Sequence, residues 1–229
     1  MTTVLVKSQY KFLTTNGEEN KMANVLFVKA NDRPADQAAS VKLYDAFLTA
    51  YKETHPSDTI TELDLFAENL PYYGNTTITG LYKLSQGFEP TAEERQAAEI
   101  SSRYLEQFLA ADKVVLAFPL WNFTVPAPLI TYASYLSQTG KTFKYTAEGP
   151  VGLAGDKKVM LLAARGGDYS NEVMAPFEMA VNYVKVILGF WGITQPESVI
   201  VEGHNQFQDR AADIVAAGIK EAATKAAAF

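Results

Sequence analysis

Apolar positions along this chain fall into two rhythms that take turns. Short runs rich in Val, Leu, Ile and Phe, of strand length, are separated by stretches in which apolar residues recur every three or four positions. The first run is Asn24-Val25-Leu26-Phe27-Val28-Lys29. Residues 35–52 follow with Val41, Tyr44 and Leu48 at helical spacing. Thr59-Ile60-Thr61-Glu62-Leu63-Asp64-Leu65 alternates polar and apolar, as a half-wet edge strand does. Unbroken apolar runs return at 114–119 and 158–163 and predict strands buried on both faces. A fifth strand is expected around Ser198-Val199-Ile200-Val201.

Helical patterns lie between these runs. Thr91-Ala92-Glu93-Glu94 is a capping box, and Ala97, Ile100, Tyr104, Leu105 and Phe108 continue it as an apolar stripe. Further helices are expected at 176–190 and in the Ala-rich end, where Ile214, Val215 and Ile219 face inward. Residues 66–90, dense in Gly, Asn and Tyr, read as a long irregular segment, and 149–156 as a turn-rich entry to the fourth strand. Repeated strand–helix units joined by short turns predict an α/β protein. The expected form is a flavodoxin-like three-layer sandwich, a five-stranded parallel sheet in the order 2-1-3-4-5 with helices on both faces.

Residues 1–21 do not belong to that scheme. Thr3-Val4-Leu5-Val6-Lys7-Ser8 loosely echoes the first strand, but Met22 directly before a clean strand suggests an ordinary start there. The expectation is an N-terminal extension over 1–21 and a single domain over 22–229, the added edge strand being the lesser alternative.

The composition removes several function classes. With 48% hydrophobic and 20% charged residues the chain has enough apolar content for a core. The net charge of −6, with no basic stretch interleaved with aromatics, argues against nucleic acid as a partner. There is no cysteine, so disulfides, thiol nucleophiles and Cys-ligated centres are excluded. The two histidines, His55 and His204, stand in no metal-binding spacing and read as surface or loop residues, so no metal is expected. No apolar run approaches the ~20 residues needed to cross a bilayer. Residues 2–6 are too short for a signal peptide, and a cytoplasmic location is expected.

Candidate chemistry sits on the loops after strands 1, 3 and 4, which this topology gathers at one sheet edge. The loop over 30–40 lacks both common glycine-rich phosphate motifs, yet the amides opening the next helix, at Gln37, Ala38, Ala39 and Ser40, can receive an anion. An ordinary helix entry explains the same residues. The loop at Leu120-Trp121-Asn122-Phe123 combines an indole with a carboxamide, a pairing suited to a flat, partly polar ring such as a flavin. Core filling accounts for the Trp alone, but not for Asn122, because a buried carboxamide needs partners. The paired glycines of Ala164-Arg165-Gly166-Gly167 allow close backbone approach, or simply a tight turn.

From Met22 to its end the chain resembles the flavodoxin-like FMN-dependent NADH:azoreductases, which also reduce quinones. The resemblance is carried by Val25-Leu26-Phe27-Val28-Lys29, Pro119-Leu120-Trp121-Asn122-Phe123, Thr142-Phe143-Lys144-Tyr145-Thr146, Glu148-Gly149-Pro150 with Gly152-Leu153, Ala164-Arg165-Gly166-Gly167 and Leu188-Gly189-Phe190-Trp191-Gly192. It implies FMN as cofactor and NADH as electron donor. Electrons then pass to quinones and azo compounds by a ping-pong alternation, in which the FMN N5 carries the chemistry and no side chain serves as catalytic acid or base.

It further implies that Pro119, Leu120, Trp121, Asn122 and Phe123 hold the isoalloxazine. Ala164, Arg165, Gly166 and Gly167 would serve its pyrimidine side, and Asn31 with Gln37, Ala38, Ala39 and Ser40 the phosphate. Many members carry two serines in the phosphate turn, where this chain has Asp36-Gln37-Ala38-Ala39. Tyr72, Tyr73, Phe143 and Tyr145 are candidates for stacking on flat substrates, or for packing their loops. Leu188, Phe190 and Trp191 suit either the core or an interface, since the family places its active site between two subunits. The competing readings are a flavodoxin-type FMN electron carrier without a substrate pocket, and a cofactor-free interaction module on the same fold.

Overall fold

The computed structural model describes residues 22–229, so the expected extension over 1–21 lies outside the described residues. Strands β1 (Asn24–Lys29), β2 (Thr59–Asp64) and β3 (Lys113–Pro119) precede a short hairpin, β4 (Phe143–Thr146) and β5 (Gly149–Gly152). Strands β6 (Lys158–Arg165) and β7 (Glu197–Glu202) complete the set. The main sheet is five-stranded in the order β2-β1-β3-β6-β7, and every pairing in it is parallel. Counting only the sheet strands, this is the order expected from the sequence.

Among the described residues six α-helices accompany the strands: α1 (Ala39–Thr54), α2 (Asn75–Gln86), α3 (Ala92–Ala110), α4 (Ala127–Leu136), α5 (Ala180–Phe190) and α6 (Ala211–Ala228). Alternate residues of each central strand feed opposite layers. Leu26, Val28, Leu116 and Leu161 pack under α3, α4 and α5, while Val25, Phe27, Val115 and Met160 pack under α1 and α6. Because β3 and β6 are buried on both sides, their unbroken apolar runs were the clearest strand signals. β2 is the wet edge, with only Leu63 buried.

The capping box at Thr91 and Glu94 forms as expected, and Lys83 of α2 joins Glu94 at 2.6 Å. Leu188 and Trp191 are 1% and 2% exposed, and Phe190 packs on Phe143, so this cluster belongs to the core. The helices expected over 35–52 and 176–190 each begin with a separate 3-10 turn, at Ala35–Gln37 and Ala175–Phe177.

Two segments differ from expectation. Residues 66–90 contain α2, whose sequence Asn-Thr-Thr-Ile-Thr-Gly has poor intrinsic helix propensity. Packing supplies what propensity does not. Gly80 lies so close to α3 that a Cβ there would stand 2.2 Å from the Glu94 carbonyl oxygen. Gly87, at φ 74°, ends the helix, and the Phe88 amide returns to the Lys83 carbonyl at 2.8 Å. Residues 149–156 contain β5, half of a hairpin that presses on the end of α5 through Gly152, where a Cβ would meet the Gly192 nitrogen at 2.1 Å.

At the edge of the sheet where the strands begin, one carboxylate ties three strands together. Asp58 accepts from the Ala23 amide at 2.9 Å and from the Tyr51 hydroxyl at 2.5 Å, and Lys113 lies 3.6 Å away. Burial pushes the Asp58 pKa up, but the Ala23 amide, the Tyr51 phenol and Lys113 together outweigh it and hold the carboxyl below its usual range.

Two outcomes are expected. In an open helix Gly→Ala stabilises by about 1 kcal/mol. Here Gly80→Ala forces two backbones apart and should cost about 1–3 kcal/mol, a fall in Tm of several degrees by calorimetry. A rise in Tm would mean that the helices do not touch at Gly80. Because the folded pKa of Asp58 is depressed, its contribution is complete above the unfolded pKa of ~3.9 and is lost as pH falls through the lower folded value. Asp58→Asn should therefore lower stability at neutral pH and flatten the acid limb of a stability–pH curve. An unchanged acid limb would exclude Asp58 as its source.

Candidate functional site

The carboxyl ends of β1, β3, β6 and β7 share one edge of the sheet. Leu120 extends the pairing by one residue beyond β3, its amide reaching the Ala164 carbonyl at 2.8 Å. The chain then reverses. Trp121 and Thr124 exchange backbone bonds at 2.9 and 3.0 Å, leaving Asn122 and Phe123 alone at the tip with φ of 48° and 70°. Positive φ at both tip positions is the mark of a type I′ turn. Asn tolerates that region, whereas Phe carries roughly the 1–2 kcal/mol cost of left-handed backbone. Trp121 is half-buried and meets the edge of Phe66 at 6.1 Å.

After β6 the backbone passes through Gly166 and Gly167 and is joined there to the loop after β7. The Gly166 carbonyl accepts from the amides of Asn205 and Gln206 at 3.0 and 3.2 Å, and the Gly167 carbonyl from Gly203 at 3.1 Å. Gly166 makes room for Asn205, since a Cβ there would lie 2.4 Å from the Asn205 Nδ2 and displace that side chain. Between this joined pair and the Asn122 turn lies an open cleft of about 540 Å³. Leu120, Asn122 and Phe123 form one wall, and Gly166, Gly167 and Tyr169 another. Asn205 and Gln206 complete the lining.

The cleft offers flat and apolar surfaces together with unused donors. The backbone amides of Asn122, Phe123, Gly166 and Gly167 reach no acceptor among the described residues. A heteroaromatic ring with acceptors along its edge satisfies such donors while its faces cover the aromatic side chains. This donor set fits a flavin.

The sequence-predicted residues divide by what they contact. Pro119 and Ala164 form the last pair between β3 and β6 and are buried. Leu120, Asn122, Phe123, Gly166 and Gly167 meet at the cleft. The Arg165 side chain is taken up elsewhere. Its guanidinium binds Glu202 at 2.9 Å, lies 3.6 Å from Glu178 and covers the Tyr169 ring at 5.6 Å. Glu178 is 4% exposed and in turn caps α5 through the Val181 amide at 2.9 Å. Arg165 thus clamps the cleft's supporting loops, and its main chain alone continues toward the glycines.

At the β1 loop, Asn31 and Ser40 are almost fully buried and bind each other at 3.0 Å, while the Asn31 Oδ1 holds the Arg33 amide. The α1 helix opens without a side-chain cap, and the amides of Ala38, Ala39 and Ser40 reach no acceptor among the described residues. Gln37 is exposed, with the Arg33 guanidinium 3.5 Å from its Oε1. Among the aromatic candidates, Tyr72 is 89% and Tyr145 69% exposed. Tyr73 packs against Tyr135, and Phe143 is buried against Phe190. The segment before α2 is tied to the core by Tyr104, which donates to Glu68 at 2.7 Å, and by Tyr135, which donates to the Pro71 carbonyl.

Sequence reasoning missed Tyr169, Asn205 and Gln206. The signal was present, because Gly203 follows the fifth strand much as Gly166 follows the fourth. Breaking the clamp tests its role. Arg165→Gln strands two acidic groups, one of them buried, and should cost about 3 kcal/mol in urea unfolding. A loss below ~0.5 kcal/mol, the level of an ordinary surface change, would show that the clamp is ornamental.

Residues 23–226 match a family model described as a flavodoxin-like fold. A protein of Bacillus anthracis named FMN-dependent NADH:quinone oxidoreductase 2 is 67% identical over 208 residues, covering 91% of this chain and all of its own length. The crystal structure of an azoreductase from Bacillus anthracis str. Sterne superposes with a TM-score of 0.89 at 59% identity, over 91% of this chain and 100% of that one. An FMN-dependent NADH-azoreductase from Bacillus anthracis str. Ames Ancestor, solved in complex with FMN, gives a TM-score of 0.82 at 28% identity, over 90% and 98% of the two chains.

Proposed function

The chain belongs to the flavodoxin-like FMN-dependent NADH:quinone oxidoreductases and azoreductases, and from that membership we infer that it oxidises NADH and reduces quinones and azo compounds. The observation that carries the reading onto this chain's own residues is the set of four unpartnered amides, at Asn122, Phe123, Gly166 and Gly167, around one flat-walled cleft. Bound there, FMN supplies the hydride chemistry that links the two substrates.

The protein's part is to bind, orient and keep water out. Leu120, Phe123 and Tyr169 flank the ring, while Asn122 and Asn205 match its polar edge. The amides of Gly166 and Gly167 would donate to the ring's pyrimidine side, as preorganised donors that need no reorganisation. The helix-start amides of Ala38, Ala39 and Ser40 receive the phosphate in place of the missing serines, with Arg33 as the nearby cation. Asn31 and Ser40 serve this subsite by shaping its loop. No side chain is required as acid or base.

Both substrates use the same open side of the cleft, so they bind in turn and the kinetics are ping-pong. Tyr72 and Tyr145 are the exposed rings available to an acceptor, with Tyr73 and Phe143 behind them as supports. The relatives named FMN-dependent NADH:quinone oxidoreductase and azoreductase support an enzyme over an electron carrier. Residues 22–229 act as one domain. Exposed apolar side chains at the Asn122–Phe123 turn and against it, Phe123, Phe177 and Met179, support a homodimer with active sites at the interface. No helix among the described residues is long and apolar enough to cross a membrane. With the absence of cysteine, this supports a cytoplasmic setting.

The deciding experiment is anaerobic stopped-flow mixing of FMN-reconstituted protein with NADH, and then with a quinone or an azo dye. The flavin band should bleach in the first mix and return in the second. Bound FMN that NADH does not bleach would instead identify a carrier, and a protein that takes up no FMN would remove the reading altogether.

A further inference from the structure

The strained turn at Asn122 and Phe123 needs an outside support. A two-residue type I′ loop prefers Asn-Gly, and this chain carries Phe at the glycine position with φ of 70°. Strained backbone persists only where its surroundings over-determine it. Two contacts do this here, and both come from the segment between β6 and α5. The Phe177 ring lies 5.5 Å from the Phe123 ring, and the Met179 amide donates to the Phe123 carbonyl at 3.0 Å. Phe177 is itself 45% exposed and lies outside both core clusters, so filling the interior does not account for its placement.

We propose that Phe177 is a positioning residue for the cofactor cleft. Its ring, with the Met179 amide, holds the Asn122–Phe123 turn in left-handed backbone and keeps the two tip amides available to FMN. The proposal rests on the FMN reading given above. It adds a second duty to the loop that Arg165 and Glu178 already anchor, since that loop then fixes the geometry of the opposite wall as well as its own.

A thermodynamic cycle read by FMN binding tests it. Apoproteins are titrated with FMN and followed by quenching of flavin fluorescence, for wild type, Phe177→Ala, Phe123→Gly and the double variant. Phe177→Ala should weaken FMN binding about tenfold, and Phe177→Leu should restore most of the loss. Glycine adopts positive φ unaided. In the Phe123→Gly background, Phe177→Ala should therefore change affinity less than about twofold. The melting temperature of the Phe123→Gly apoprotein should equal or exceed that of wild type, which a loss of ordinary packing would not give.

Wild-type affinity in Phe177→Ala would overturn the proposal. So would an equal loss in both backgrounds, because the contact would then act without reference to the turn. If wild-type apoprotein takes up no FMN, the cofactor reading has failed. Uptake by wild type with an additive cycle leaves that reading intact and removes only the role of Phe177.

Discussion

Parallel pairing of β3 with β1 and with β6 is the constraint from which the site follows. In a parallel sheet every strand ends at the same edge, and each connection must return over a face before the next strand begins. Four loops are therefore delivered to one place by backbone hydrogen bonding alone. Amides that emerge past the last paired residue have no strand left to bond. The unpartnered donors of Asn122, Phe123, Gly166 and Gly167 result from the sheet ending there, and a ligand can use them because they stand close together.

Around that edge the fold pairs polar side chains with one another and leaves backbone amides without partners among the described residues. Arg165, Glu178, Asn31 and Ser40 are polar residues whose partners lie within the protein. Their bonds fix where the neighbouring backbone stands. Such a division suits a cofactor that carries its own chemistry: the protein needs donors of fixed position more than it needs a reactive group.

The Asp58 cluster and the candidate cleft lie at opposite ends of the same sheet. Asp58, Tyr51 and Lys113 fasten the edge where the strands begin, away from the cleft. Glycines mark close approaches throughout the molecule. Gly80 and Gly152 bring helix to helix and hairpin to helix, while Gly166 makes room for Asn205 at the cleft itself. A substitution at the first two is a packing defect, and one at Gly166 alters the site.

The sequence alone determined the order of the five main-sheet strands, the edge character of β2, the two buried central strands and the capped start of α3. These are local or periodic properties, written in the alternation of apolar residues and in capping chemistry. It also marked Leu120, Asn122, Phe123 and the Gly166-Gly167 pair, because an exposed aromatic loop and paired glycines at strand ends are unusual in any context. Only the tertiary structure decided the rest. α2 has weak propensity and exists through its contact with α3 at Gly80. The Arg165 side chain turns to Glu202 and Glu178, partners remote in sequence, and Asn31 closes on Ser40. Asn205 and Gln206 join the cleft because the β7 loop bonds to the Gly166 carbonyl. Each of these depends on which distant atoms come within hydrogen-bonding or van der Waals reach, and periodicity along a chain holds no record of that.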